Sequence, residues 1–415
     1  MTATAAAGSG APAAGPGAHG HGVPTSPAGT GTPPGPAAVV DLDAIAASVA
    51  ACAAAAPGAQ VMAVVKADGY GHGLVASAHA AVAGGAGWLG TATIIEGLAL
   101  RTAGLRVPIL SWLNPPGTDF GSAVVEGIDI GVSAPWGLDD AVAAARAAGV
   151  PARIHLKIDT GLHRNGATLR DLDALLDVVA RAQAEGVVEV VGMMTHFVHA
   201  DLPDHPTTGH QLADFTYAVE RAAAQGIRPL VRHCANSAAT LTRPDTHFEL
   251  VRPGIACYGL TPTPQLGGPE RFGLVPAMTL TAPVALVKTV AAGLGVSYGH
   301  LWTAERDETV ALVPLGYADG IPRHASNTGE VLIGGQRRRI AGRVCMDQFV
   351  VTCPDEVRPG DEIVLFGPGT RGEPTAQDWA EALDTISYEI VTRIGPRVPR
   401  VYAGALAASL PGGRP

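Results

Sequence analysis

A short apolar run that ends in a lysine and a glycine-rich loop is the most informative stretch of this sequence. From Val61 to Gly73 the chain is VMAVVKADGYGHG. The run Val61–Val65 has the length and composition of a buried strand, and the closely spaced glycines after Lys66 are typical of a turn. We therefore predict a strand that presents Lys66 at its carboxyl end.

Similar apolar runs recur beyond this strand, separated by alanine-rich stretches with helical spacing. The further strands predicted are Trp88–Thr91, Pro108–Trp112, Ile128–Val132, Ile154–Ile158, Val188–Thr195, Leu230–His233 and Ile255–Tyr258. This alternation is typical of parallel strands joined by helices, which favours a (β/α)8 barrel, although a doubly wound open sheet fits the same pattern. In a barrel, Lys66 would lie at the mouth formed by the carboxyl ends of the strands, where barrel active sites are found.

Beyond residue 272 long helical stretches become rare, and short strands alternate with glycine-containing turns. The elements predicted here are the strands Val284–Thr289, Thr309–Pro314, Glu330–Ile333, Phe349–Thr352 and Glu362–Phe366, and a helix near Ala376–Leu383 with Thr375 as its N-cap. We therefore divide the chain into an Ala/Gly/Pro-rich extension (1–36) that we expect to be disordered, a barrel (37–271) and a mainly β domain (272–415).

Composition and charge argue against several classes of protein. Of the 415 residues, 47% are apolar, which is enough for a large core, and the formal net charge of −9 argues against binding to nucleic acid or an anionic membrane. The five cysteines form no CxxC motif and no zinc-like pairing with histidine, so we expect reduced thiols, no metal site and a cytoplasmic protein. The N-terminus lacks the basic and apolar regions of a signal peptide, and no uncharged run is long enough to span a membrane.

Lysine is scarce, since only Lys66, Lys157 and Lys288 occur among the 28 basic residues. Arginine can replace lysine as a surface cation, but it cannot replace an amine that condenses with an aldehyde. Beside apolar side chains at a barrel mouth, the amine of Lys66 would have a lowered pKa and could form such a bond. Composition alone predicts that Lys157 is a buried, ion-paired lysine and that Lys288 has a structural or surface role.

The motif around Lys66 resembles the cofactor-lysine motif of bacterial alanine racemases, pyridoxal-phosphate enzymes in which a barrel precedes a β domain. The resemblance continues over nearly the whole chain after residue 37. It includes, in order, the segments Asp41–Ile45, His155–Gly161 with Arg164, Met194–Phe197, His233–Ala238, Val251–Ile255, Val296–Gly299, Gly316–Gly320, Arg343–Gln348 and Ile386–Ile390.

The resemblance implies a reaction with two bases on opposite faces of the substrate. Lys66 would bind pyridoxal 5′-phosphate covalently and serve the face of D-alanine, while Tyr298 would serve the face of L-alanine. In the family this tyrosine crosses a homodimer interface, so that each subunit completes its partner's site. A phenol has a reference pKa of about 10, and a hydrogen-bonded His196 nearby could help it act as a base.

Other residues match the family's cofactor positions. The phosphate positions match Tyr70, Ser237, Gly254, Ile255 and Tyr388. Arg252 matches the arginine that faces the pyridine nitrogen. Because a guanidinium holds its own protons, the ring would be a weak electron sink and side reactions would be suppressed. His233 and Asn236 are expected in supporting positions around these groups.

The resemblance also assigns contacts to the substrate's carboxylate. Arg164 would bind it, oriented by a Lys157 that carbamylation has converted to an anion. From the partner subunit, Tyr317 and the backbone N–H of Met346 would contact the same group, with Asp347 behind them.

Together these observations predict a dimeric pyridoxal-phosphate racemase that interconverts L- and D-alanine and supplies D-alanine for peptidoglycan. One alternative is a racemase of the same fold with broader, serine or lysine, specificity. Another is a non-catalytic pyridoxal-phosphate-binding barrel, against which residues 272–415 with Tyr298 argue. A fold-related decarboxylase is a third, but its catalytic cysteine motif is not recognisable.

Overall fold

The computed structural model describes residues 35–410, so the predicted extension 1–36 lies almost entirely outside the described residues. Eight parallel strands form a nearly closed barrel, hydrogen-bonded in the order β10-β2-β3-β4-β5-β6-β8-β9. They are β2 (Gln60–Val64), β3 (Trp88–Thr91), β4 (Ile109–Ser111), β5 (Ile128–Val132), β6 (Ala152–Asp159), β8 (Val188–Met194), β9 (Val231–His233) and β10 (Leu250–Val251). The predicted barrel is confirmed, and the alternative of a doubly wound sheet is wrong.

Helices follow the barrel strands and cover their outer faces. They are α1 (Leu42–Ala55), α2 (Lys66–Tyr70), α3 (Leu74–Ala83), α4 (Ile94–Thr102), α5 (Phe120–Val125), α6 (Pro135–Ala148), α7 (Leu172–Ala184), α8 (Pro206–Ala224) and α9 (Ser237–Thr242), and a short strand β7 (Ala167–Thr168) pairs with β6. Thr93 begins α4 with a capping box in which Glu96 reciprocates, and Gly149 ends α6 in a left-handed conformation. None of the helices in residues 35–410 has the length and apolarity needed to cross a bilayer.

The prediction of the eighth barrel strand at Ile255–Tyr258 is wrong. The barrel is completed by Leu250–Val251, which pairs with Gln60 and Val61 of β2, while Ile255–Tyr258 forms a 3₁₀ helix. Pro253 has no N–H for a strand ladder, and Gly254 turns the chain with φ −109° and ψ −87°. The apolar run is buried as expected, but it is buried as a helix rather than as a strand.

The second part of the chain is mainly β, as predicted. Its elements are β11 (Met278–Pro283), β12 (Leu286–Val290), β13 (Gly295–Val296), β14 (Trp302–Thr303), β15 (Glu308–Val313), β16 (Glu330–Ile333), β17 (Gln336–Arg339), β18 (Phe349–Thr352), β19 (Glu362–Phe366), β20 (Arg400–Ala403) and the helices α10 (Ala376–Ala382) and α11 (Ser387–Thr392). Thr375 caps α10 as predicted, and Lys288 is exposed on β12. Strands β11, β13, β14, β17 and β20 and helix α11 were not predicted.

Residues Ala37–Asp41, which fall in the range 37–271 that we assigned to the barrel, form strand β1 in the sheet of the second part. It is antiparallel to β11 and parallel to β20, within a six-stranded sheet of order β17-β16-β19-β11-β1-β20. Ala38 and Val40 are fully buried there, so the pairing removes apolar surface from water on a strand too short to do so alone. The barrel itself therefore begins at α1.

Candidate active site

Strand β2 ends at Val64, and Lys66 follows it after one further residue, Val65, at the carboxyl end of the barrel. Beyond it the backbone is left-handed, with φ of 54°, 53°, 61° and 52° at the four residues Ala67–Tyr70. This conformation costs about 1–2 kcal/mol at each non-glycine residue, so it needs compensating bonds. Glu96 accepts the N–H of Ala67 at 2.8 Å, and Asp68 accepts the N–H of Leu74 at 2.8 Å.

Ten of the residues predicted for the site line one cavity of about 320 Å³ at this mouth. They are Lys66, Tyr70, Lys157, Arg164, His196, Asn236, Ser237, Arg252, Ile255 and Tyr388. They come from both parts of the chain, since Tyr388 lies on α11 within the mainly β part. Gly254, the remaining phosphate candidate, adjoins the cavity through contacts with Ser237 and Tyr70.

The ionisable groups of this cavity are mostly cations. Burial lowers the pKa of Lys66, and the charges of Arg164 and Arg252 lower it further while Glu96 opposes them. Burial and the same two arginines, with Lys66, lower the pKa of Lys157 to about 8. A pocket in which neighbouring cations weaken one another's protonation is suited to an anionic ligand.

The end of the cavity near α9 has the donors that a phosphate needs. The hydroxyl of Ser237 accepts the N–H of Gly254 at 2.7 Å and that of Ala256 at 3.3 Å. A Cβ added at Gly254 would overlap the hydroxyl of Tyr70, so only glycine leaves this approach open. Burial raises the pKa of both Tyr70 and Tyr388, so their phenols remain protonated donors at neutral pH.

Arg252 is held at the floor of the cavity by buried acceptors. Nη1 donates to the backbone carbonyl of His233 and lies 3.1 Å from the Nδ1 of the same residue. Nη2 donates to the carbonyl of Thr195 at 2.7 Å and to that of Cys234 at 3.3 Å. The Nε–H is the guanidinium donor left without an acceptor among residues 35–410. Burial lowers the pKa of Arg252 to about 10, so this group stays cationic at neutral pH.

Tyr298, Tyr317 and Met346 are absent from this cavity and lie on the surface of the β domain, with 73%, 43% and 53% of their areas exposed. Their loops meet around Cys345. Ser297 contacts the Cys345 thiol at 3.3 Å, and the N–H of Tyr317 donates to the Cys345 carbonyl at 3.0 Å. The three side chains therefore belong to one exposed face of the chain.

Asp347 stabilises this face through an ion pair with Arg397. Arg397 donates to Asp347 at 2.7 Å and lies 3.0 Å from the buried carboxylate of Asp319, which itself accepts the N–H of Gly316 at 2.8 Å. The bridge ties the loop of Met346 to the turn of Tyr317.

Two residues of the site were not predicted. Trp112 follows β4 and lines the cavity, with its ring centroid 6.0 Å from the Lys66 amine. Its ring is accommodated because Gly90 has no Cβ to obstruct it, and Gly131 likewise leaves space for the Cα and Cβ of Trp112. Glu96 supports the left-handed turn from the first turn of α4. The position of Trp112 directly after a barrel strand was an available signal, whereas nothing in the spacing of Glu96 points to Ala67.

A barrel with a lowered-pKa lysine at its mouth, a cationic cavity and an exposed phenol on a β domain defines a barrel enzyme that works on an anionic ligand. The family models of the alanine racemase N-terminal domain and C-terminal domain match residues 40–262 and 277–402. The chain belongs to the alanine racemase family.

Similar proteins cover most of the chain. The alanine racemase of Frankia casuarinae is 60% identical over 345 residues, which are 83% of this chain and 90% of the relative. That of Thermobifida fusca is 57% identical over 350 residues, 84% of this chain and 93% of the relative. The crystal structure of the alanine racemase from D-cycloserine-producing Streptomyces lavendulae has a TM-score of 0.89 and 54% identity, covering 91% of this chain and 99% of that one.

Proposed function

We propose that this chain interconverts L-alanine and D-alanine, with Lys66 and the partner subunit's copy of Tyr298 as the two bases. The observation that carries the assignment is the amine of Lys66 in a buried, cationic cavity within a chain of the alanine racemase family. The alternatives of a broader racemase, a decarboxylase or a non-catalytic barrel are not favoured, since the relatives named above are alanine racemases that match both parts of the chain.

The residues of the cavity fit pyridoxal 5′-phosphate. The approach at Gly254, the hydroxyl of Ser237 and the two protonated phenols suit its phosphate, and the free Nε–H of Arg252 suits a ring nitrogen. When bound through Lys66, this cofactor supplies a conjugated ring that withdraws electrons from the substrate's α-carbon. The residues around it bind and orient the substrate and move its proton.

Lys66 carries the proton on one face. Burial and the charges of Arg164 and Arg252 lower its pKa, which favours the neutral amine that can accept a proton and return it. Arg164, from the cavity wall, orients the substrate by its carboxylate, and a carbamate on Lys157 would hold that guanidinium in place. His196 is half-buried among the same cations, and desolvation together with their charges lowers its pKa well below the usual value, so it stays neutral.

The second base requires another copy of the chain. Tyr298 is exposed, apart from the cavity, on a face that also presents Tyr317 and Met346. Two-fold pairing of copies would bury these apolar side chains and bring each Tyr298 to the partner's cavity. We therefore propose a homodimer with shared sites, in the cytoplasm, where D-alanine is supplied for peptidoglycan.

The test is exchange of the α-hydrogen in deuterated water. With Tyr298→Phe, we expect exchange into L-alanine to fall at least tenfold more than exchange into D-alanine, since Lys66 still serves the D-face. The unmodified chain should racemise alanine faster than serine or lysine. Equal losses on both faces would contradict the assignment of two separate bases.

A further inference from the structure

A chain of buried polar side chains crosses the interior of the barrel beneath the cavity. Arg252 lies 3.1 Å from Nδ1 of His233, whose Nε2 lies 2.8 Å from Nδ1 of His155. Nε2 of His155 lies 3.1 Å from Oδ2 of Asp129. Oδ1 of Asp129 accepts the Nε–H of Arg153 at 2.7 Å, and Oδ2 accepts a longer bond of 3.4 Å from Nη2 of Arg153. The proposed reaction has no direct use for His155 or Asp129.

The donor and the acceptor of every hydrogen bond in this chain are fixed by its two ends, the guanidinium of Arg252 and the carboxylate of Asp129. A guanidinium only donates, so Nδ1 of His233 must accept, and its proton must be on Nε2. Nδ1 of His155 then accepts from His233, and its own proton, on Nε2, is donated to Asp129. Both imidazoles are therefore neutral Nε2–H tautomers. A protonated His155 would reverse the chain and place an N–H of His233 against Arg252.

The pKa shifts of His233 and Asp129 agree with these hydrogen-bond directions. Burial, with the charge of Arg252, lowers the pKa of His233 well below its usual value, so it remains neutral. Burial opposes ionisation of Asp129, but hydrogen bonds from His155 and Arg153 hold the pKa of its carboxyl below the usual value. Arg252 has no carboxylate of its own among the described residues, and Asp129 is the anion at the other end of its hydrogen-bonded chain.

The barrel makes room for this arrangement. His155, His233 and Asp129 are fully buried, on the faces of their strands that point to the barrel axis. A Cβ at Gly192 on β8 would overlap the imidazole of His155, so the missing side chain provides its space. The edge of Trp88 closes the other side at a centroid distance of 5.6 Å.

We propose that Asp129 and His155 are positioning residues which, through His233, fix the guanidinium of Arg252 towards the cofactor's ring. This proposal rests on the proposed function, because it assigns Arg252 to the ring nitrogen. A purely structural role would require only that the buried groups be satisfied, whatever the direction of the bonds.

Asp129→Asn separates the two roles. Arg153 only donates, so it must take the oxygen of the new amide and leave the NH₂ to face His155. His155 must then accept at Nε2, which reverses both tautomers and sets an N–H of His233 against Arg252. The double variant Asp129→Asn/Arg153→Met frees the amide to rotate and restore the original direction, and Arg153→Met alone is the matched control.

The first readout is ¹⁵N NMR of histidine ring nitrogens in the full-length holoenzyme, with His155 and His233 assigned by substitution. We expect Nε2–H tautomers in the unmodified protein, Nδ1–H tautomers in Asp129→Asn, and Nε2–H again in the double variant. This measurement does not depend on racemisation. Nδ1–H tautomers in the unmodified protein would overturn the proposal, even if Asp129→Asn failed to fold.

The second readout is the partition of alanine between racemisation and transamination, in which the amino group would pass to the cofactor and pyruvate would be released. In Asp129→Asn we expect kcat for racemisation to fall about tenfold or more, a larger share of pyruvate, and recovery of both in the double variant. Reversed tautomers with unchanged kcat and partition would overturn the proposal. If instead the unmodified protein had the expected tautomers but no racemase activity, the proposed function would fail and the hydrogen-bond directions would stand.

Discussion

Lys66 and Lys157 line the same cavity, and burial lowers the pKa of both amines, but only Lys66 stands directly after a strand end with an open approach. Lys157 lies within strand β6, 9% exposed, and among cations. The roles predicted from the sequence differ in the same way: Lys66 would bind the cofactor covalently, and Lys157 would hold Arg164. At the residue scale the difference can be tested by removing each amine.

For Lys66→Ala we expect loss of racemisation and of the covalent bond to the cofactor, because no other amine has its position. Borohydride reduction followed by peptide mass mapping locates the bond. The fold should be retained, since the Lys66 side chain faces the cavity. Cofactor found attached to Lys157 in the unmodified protein would contradict the assignment.

Lys157 should also make the free energy of unfolding of the cofactor-free protein depend on pH. With a pKa of about 8 in the fold and about 10.5 unfolded, the unfolded chain binds more protons between these values. In bicarbonate-free buffer, the free energy of unfolding contributed by this residue should therefore rise from pH 8 to pH 10, and Lys157→Met should flatten that rise. Urea titrations at several pH values measure it. An identical slope in the variant would show that the amine titrates normally.

Lys66 was predictable from its strand end and glycine-rich loop, whereas the other predicted residues of the cavity were inferred from the resemblance of their motifs to those of alanine racemases. Glu96 was not, because its contact with Ala67 depends on how one turn packs against another. The hydrogen-bonded chain through His155 and Asp129 was also not predicted. Alternation along a strand indicates which face of the sheet a side chain lies on, but not which strand lies opposite.

At the scale of elements, the left-handed segment α2 is the most demanding part of the barrel. Gly69 sits in it with φ +61°, and a Cβ there would come within 2.6 Å of the hydroxyl oxygen of Ser77 on α3. That hydroxyl is buried and has no hydrogen-bond partner among the described residues. The packing of α3 against the turn therefore leaves no space for a side chain at this position.

We expect Gly69→Ala to destabilise the protein by about 1–3 kcal/mol through overpacking. Ser77→Ala should recover part of this loss in the double variant, and alone it should cost little because it removes an orphaned hydroxyl. Chemical denaturation of the four proteins gives the coupling. Additive effects of the two changes would mean that the contact between Gly69 and Ser77 is not the cause.

The element that sequence reasoning misplaced shows the limit of pattern alone. A buried apolar run of four residues at Ile255–Tyr258 has the same composition in a strand and in a 3₁₀ helix, and the adjoining Pro253 and Gly254 decide between them. Strand β10 was missed because only two residues pair, too few to leave a periodic pattern.

At the scale of the whole molecule, the proposed shared site can be tested with hybrid dimers purified through two different tags. A hybrid of Lys66→Ala and Tyr298→Ala subunits should have about half of wild-type activity, because one of its two sites receives an intact lysine and an intact tyrosine. Each variant alone should be inactive.

The matched control pairs an unmodified subunit with a Lys66→Ala/Tyr298→Ala subunit. With shared sites, both sites of this hybrid lack one base, and it should be inactive. If each subunit carried a complete site, the results would be exchanged: the first hybrid would be inactive and the second half-active.

Strand β1 lies between β11 and β20, so its partners are made only after the whole barrel. During synthesis the segment Ala37–Asp41 has no partner strand until β11 and β20 have been made, and an unpaired strand edge can pair with other nascent chains. The risk of such pairing thus lasts until β20 emerges from the ribosome, and products truncated before β20 should be prone to aggregate.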